Sequence, residues 1–141
     1  MKRLITILTI LVLIPGCNEP KATENLTADT PGFVLSDGNV EVKIGEDGAL
    51  LSLVNKETGH NYASGEGLWR MFYNTHEEKE MQIDGTENTP AVTQEGDVIT
   101  IAYKDLVHRG KALRMDLTLT VKVEDGAVRF GSVVSNNEPG T

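Results

Sequence analysis

An antiparallel, all-β sandwich is the fold this sequence predicts for its body, and three observations lead there. Apolar and polar residues alternate through most windows beyond residue 31. Short turns containing Gly, several of them Asp-Gly, separate the alternating runs. No window shows a 3.6-residue apolar period bounded by helix caps. Successive side chains of an extended backbone point to opposite faces, so strict alternation marks a half-buried strand, whereas a helix would scatter the same residues around its circumference.

In chain order, Val40, Val42 and Ile44 alternate first, and Glu46-Asp47-Gly48 turns the chain into a strand over residues 49–54. An Asp-Gly pair between apolar runs is a hairpin signal because Gly takes positive φ without steric cost. Met81 and Ile83 predict a short strand between Glu80 and Gly85. Glu95-Gly96-Asp97 then leads into Ile99, Ile101 and Tyr103. The clearest run is Leu113, Met115, Leu117, Leu119, Val121 and Val123, interleaved with Arg114, Asp116, Thr118, Thr120 and Lys122. Glu124-Asp125-Gly126 links it to residues 128–134 as a hairpin. Many strands at short spacing favour a sandwich over a parallel α/β sheet.

Ahead of this body stands a different kind of segment. Lys2 and Arg3 precede residues 4–14, which are all apolar or Thr. As a helix that stretch would span about 16 Å, against a bilayer core of roughly 30 Å. It is too short to cross a membrane and suits the apolar region of a signal peptide. Ile14-Pro15-Gly16-Cys17 follows and resembles the bacterial lipobox, with Pro15 an unusual occupant of its position. That resemblance implies cleavage after residue 16 and acylation of Cys17, the only cysteine in the chain. Two or more acyl chains suffice for stable anchoring. The alternative is a free thiol buried in a core. The expected organisation is a signal peptide over residues 1–16, with a helical apolar stretch, a lipidated flexible tether over 17–30, and a β-sandwich over 31–141. The product would lie in the cell envelope, extracytoplasmic and lipid-anchored to a membrane.

Charge narrows the partners. Thirteen basic and 21 acidic residues give a net charge of −8. The mature chain would be more acidic still, near −10, because the two positive charges of Lys2 and Arg3 leave with the signal. No basic stripe offsets this, so a nucleic-acid phosphate backbone would repel the chain. The acidic balance suits solubility outside the cytoplasm, and residues 17–141 are enough for one domain with a core of its own.

No arrangement of residues announces catalysis or a cofactor. His60, His76 and His108 are far apart, and His76-Glu77-Glu78 lacks the second His that a zinc-binding helix requires. Neither a G-x-S-x-G nucleophile elbow nor a G-x-x-x-x-G-K-[ST] phosphate loop occurs. Asp37, Asp47, Asp84, Asp97 and Asp125 fall in turns and read as solvated. A glycosidase carboxylate pair or a calcium site from such turns is not excluded by composition, but no EF-hand spacing is present. Gly67-Leu68-Trp69-Arg70-Met71-Phe72-Tyr73 is the one aromatic concentration. Trp69 and Tyr73 could pack on the C–H faces of a sugar, with Arg70 bonding its hydroxyls. The simpler reading is a strand whose Trp69, Met71 and Tyr73 face one way into a core or a domain interface.

Asn39-Val40-Glu41-Val42-Lys43-Ile44, followed by Gly48-Ala49-Leu50-Leu51-Ser52-Leu53-Val54-Asn55-Lys56-Glu57-Thr58-Gly59-His60-Asn61-Tyr62, resembles the opening of a galactose-mutarotase-like β-supersandwich. Gly67-Leu68-Trp69-Arg70 and Val133-Val134-Ser135-Asn136-Asn137 fit the same pattern. Such domains stand N-terminal to the catalytic domain in large secreted bacterial glycoside hydrolases. The resemblance implies a partial supersandwich, truncated at its C-terminus, forming the non-catalytic front part of a cell-envelope lipoprotein glycoside hydrolase and assisting carbohydrate processing. A polysaccharide or oligosaccharide is the implied partner, with a missing C-terminal catalytic domain. It transfers no catalytic residue to this chain. The other reading is a stand-alone envelope lipoprotein that binds a glycan or a protein. A partial sandwich would leave an unpaired edge and an uncovered apolar face, both favouring self-association.

Overall fold

A computed structural model describes residues 31–63, 67–74, 79 and 81–137. The expected signal peptide and tether, Cys17 and His76 lie outside the described residues. The strands are β1 (Gly32–Ser36), β2 (Val40–Gly45), β3 (Leu50–Asn55), β4 (Arg70–Tyr73), β5 (Met81–Asp84), β6 (Ala91–Glu95), β7 (Val98–Tyr103), β8 (Val107–His108), β9 (Lys111–Ala112), β10 (Met115–Glu124) and β11 (Ala127–Asn136). A single 3₁₀ turn, Gly85–Glu87, follows β5. Every strand pairing is antiparallel.

The chain is an all-β sandwich. One sheet has the order β1-β2-β3 and the other β11-β10-β7-β6, with β4-β5 and β8-β9 as two-stranded ribbons. The two larger sheets meet over one apolar core. Leu35, Val42 and Ile44 of the first sheet and Ile99, Ile101, Tyr103, Leu117 and Val121 of the second are buried together, with Leu106 from a connecting segment. These are the inward positions that alternation picked out. In β7, Ile99, Ile101 and Tyr103 are buried while Val98, Thr100 and Ala102 are less so.

The predicted hairpins at Gly48 and Gly126 form, and a further hairpin at Gly96 joins β6 to β7. Gly48, Gly96 and Gly126 all have positive φ, at 79°, 58° and 75°. Around the first, Gly48 N–H donates to Gly45 O at 3.0 Å and Ala49 N–H to Asp47 Oδ1 at 3.0 Å. A register shift between Lys43 and Ile44 leaves Leu51 of β3 as the extra residue of a bulge, which strengthens local twist.

The first sheet does not cover the whole of the second. β1 packs on β7 and β10, and β2 on β10 and the start of the last hairpin. Phe130 and Val134 stand opposite Val121 and Leu117, so they share the inward face, yet they remain 49% and 51% exposed. This leaves exposed apolar surface on the inward side of β11.

Candidate functional site

Trp69 and Arg70 bring the chain into β4, whose partner β5 sets Arg70 opposite Asp84 and Met71 opposite Ile83. Alternation then decides which side chains reach the core. Trp69 and Met71 pack against it, whereas Phe72 is 65% exposed. The Trp69 ring meets Tyr103 edge-on, with centroids 5.2 Å apart. Tyr73, on the same face but further along, meets His108 edge-on at 6.1 Å.

A cleft of about 840 Å³ opens beside this ribbon. Its walls are the Asp47–Ala49 turn, the segment from Gly67 to Arg70, the loop from Asp84 to Pro90, and Tyr103 at the end of β7. Of the aromatic run singled out by sequence, the fold brings Trp69 and Arg70 into this cleft, while Tyr73 does not line it. Trp69 packs against the core and also lines the cleft.

The Trp69 Nε1–H is buried and makes no close hydrogen bond, the Tyr103 hydroxyl being its polar neighbour. A buried donor left unsatisfied costs about 1–3 kcal/mol, so such groups in folded proteins call for a partner. The Tyr103 hydroxyl lies nearby, since a Cβ placed on Gly85 would sit 3.5 Å from Trp69 Nε1 and 3.6 Å from Tyr103 Oη. Burial pushes the Tyr103 phenol above its ordinary value, the adjacent Trp69 N–H partly offsets this, and the charge of Asp47 adds to the rise. The hydroxyl is thus a neutral donor and acceptor at physiological pH.

The floor is held by side-chain bonds. Asp84 Oδ1 accepts from Thr86 N–H at 2.9 Å and from the Thr86 hydroxyl. These two bonds, with help from the charges of Arg70 and His108, keep the Asp84 carboxyl below the usual carboxylate range. The Asn88 side chain clamps the loop to β8, accepting from Val107 N–H at 2.7 Å and donating to Val107 O at 3.1 Å and Asp84 O at 3.2 Å. Glu87 Oε2 accepts from Arg109 N–H at 2.8 Å.

This set can bind but shows no sign of acid catalysis. A general acid for glycoside cleavage needs a raised carboxyl pKa, and Asp84 is shifted the other way. Among the described residues no three His, Cys, Asp or Glu side chains are grouped to hold a metal ion. His60 is exposed beside Tyr62, whereas His108 lies partly buried in β8, so the two serve different places. Among the described residues no helix is long and apolar enough to cross a membrane.

Sequence reasoning did not select Tyr103 or Asp84 for the site. A Tyr closing an inward-facing alternation carried a signal, because its hydroxyl must find a polar neighbour at the end of the core. Asp84 carried none, since only the β4–β5 register places it opposite Arg70. Compared with known proteins, the chain matches no family model, no curated sequence and no solved structure.

Proposed function

We propose that this chain is the non-catalytic β-sandwich portion of a cell-envelope lipoprotein glycoside hydrolase, and that it assists carbohydrate processing by holding a glycan in the Trp69–Tyr103 cleft. The observation that carries the reading is the cleft of about 840 Å³ in which Trp69, Arg70, Asp84 and Tyr103 converge. A sugar ring presents hydroxyls that both donate and accept around an apolar C–H face. The cleft offers the matching set: Arg70 as donor, Asp47 and Asp84 as acceptors, Tyr103 as either, and Trp69, Leu68 and Pro90 as apolar wall. The likeness of residues 39–62 to a galactose-mutarotase-like opening supports the same class of ligand. Lipidation at Cys17 would hold the module at the membrane.

Trp69 is the sole tryptophan, which makes the test site-specific. Titration with soluble poly- and oligosaccharides should change Trp69 fluorescence saturably, and calorimetry should report binding of the same glycan. Trp69→Phe keeps an aromatic ring but removes the indole N–H and part of the ring surface that lines the cleft. It should weaken calorimetric binding by about tenfold. Absence of a glycan-dependent signal across the panel at millimolar concentration would sink this reading.

A further inference from the structure

β11 is the outermost strand of its sheet, and among the described residues no strand pairs with its outer edge from residue 127 to 135. Natural edges are kept from pairing by short length, Lys, Pro or bulges. β11 has none of these guards. It is 10 residues long and pairs with β10 without a register break. Arg129 is its only charged residue, and that charge is already matched by Glu124 of the same molecule at 3.1 Å. Phe130 and Val134 add an exposed apolar surface on the inward face.

We propose that β11 pairs antiparallel with β11 of a second copy, about a two-fold axis that passes beside Ser132 perpendicular to the sheet. The two four-stranded sheets would then form one continuous sheet. The strand's own sequence selects this partner and register. Such an axis keeps the inward faces of both copies on the same side. With Ser132 on the axis, Phe130 lies opposite Val134 of the other copy, and the pair occurs twice. Aromatic and β-branched residues directly opposed are a favourable cross-strand pair. Arg129 falls opposite Ser135, so no like charges meet. Gly131 falls opposite Val133, which is 64% exposed on the outward face. Moving the axis to Gly131 would set Phe130 against Ser132, and moving it to Val133 would set Phe130 against Asn136. Of these three registers, only the Ser132 one matches apolar with apolar at Phe130, and an axis at Arg129 or Phe130 would pair fewer residues of the strand.

Directly opposed residues in an antiparallel pair have Cα atoms about 4.5–5.5 Å apart, within reach of a disulfide. The full chain carrying Cys17→Ser has no other thiol. Adding Ser132→Cys should yield a covalent dimer on mild oxidation. Ser135→Cys in the same background should cross-link at least about tenfold more slowly, because its two copies would lie roughly 20 Å apart along the strands. Sedimentation of the parent chain should show a dimer, and Val134→Lys should weaken it by about tenfold, having replaced both apolar pairs. A monomer at micromolar concentration, or equal cross-linking through positions 132 and 135, overturns the proposal. Should Val134→Lys fail to fold, the two cysteine variants still decide the register.

Discussion

Asp37 does more for this fold than its place in a polar turn suggests. Its Oδ1 accepts from Asn39 N–H and Val40 N–H, both at 2.8 Å, closing the β1–β2 hairpin. Its Oδ2 accepts from Gly126 N–H at 2.8 Å, in the β10–β11 turn of the other sheet. The backbone donors of Val40 and Asn39 are the main reason its carboxyl sits below the ordinary carboxylate value, with Gly126 and the charge of Lys56 contributing. Asp37→Ala should lower the thermal midpoint by several degrees in a calorimetric scan, because three backbone donors lose their acceptor. Gly48 is the second residue whose identity the structure dictates. Its φ is +79°, and a Cβ there would come within 2.7 Å of Tyr103 Oη and 3.1 Å of Ile101 Cγ2. Gly48→Ala should cost about 1–3 kcal/mol in urea unfolding. Gly59→Ala, at φ +69° with open space around it, should cost only the left-handed penalty of about 1–2 kcal/mol. Equal losses at the two positions would remove the steric part of this explanation.

At the scale of a strand, period-two alternation separates positions that matter to the core from those that do not. Ile101 is fully buried in β7, while Lys122 is exposed in β10. Ile101→Ala should cost about 2–5 kcal/mol, the lost transfer energy plus the cavity left behind. Lys122→Ala should change stability by no more than about 0.5 kcal/mol. Both are measurable by urea unfolding, and comparable losses would mean that the core lies elsewhere. The elements themselves were largely legible. Residues 49–54 were expected and β3 is Leu50–Asn55, and the residues 128–134 hairpin arm is the middle of β11. The run starting at Leu113 begins instead at Met115. Arg114, at φ +52°, breaks the extended backbone there, and Leu113 N–H is used by Leu106 O at 2.8 Å. β1 and β6 escaped notice because both are edge strands. GFVLS and AVTQE each bury few side chains, so neither needs a clean alternation.

Across the whole molecule, three carboxylates hold turns or join segments through hydrogen bonds, and their shifts agree in sign. Asp37 and Asp84 are joined by Asp116, whose carboxyl is lowered first by Lys104, at 2.7 Å, and next by Asp105 N–H, at 3.0 Å. Each folded value lies below the unfolded one, so the stabilisation is fully present above the ordinary carboxylate pKa of about 3.9. It is lost as pH falls through the depressed folded values. Thermal midpoints should therefore hold near neutral pH and decline below about pH 4. In Asp37→Asn the amide no longer accepts on both sides, so its deficit relative to the parent should shrink in acid. A deficit as large at pH 2.5 as at pH 7 would remove Asp37 from this account. The export reading has a separate test at the same scale: a palmitate analogue should label the chain in cells, and Cys17→Ala should abolish the label.

The sequence by itself determined the β class, the hairpin turns and most of the inward-facing residues, because side-chain alternation and positive-φ glycines are local properties written residue by residue. It also placed Trp69 and Arg70 among the residues worth following. Which of them share a cleft was a tertiary matter. The β4–β5 register set Arg70 against Asp84, the packing of the two sheets carried Tyr103 to Trp69, and the reach of the smaller sheet left Phe130 and Val134 uncovered. Those outcomes depend on contacts between segments dozens of residues apart, and alternation along one strand carries no information about which strand will lie across from it.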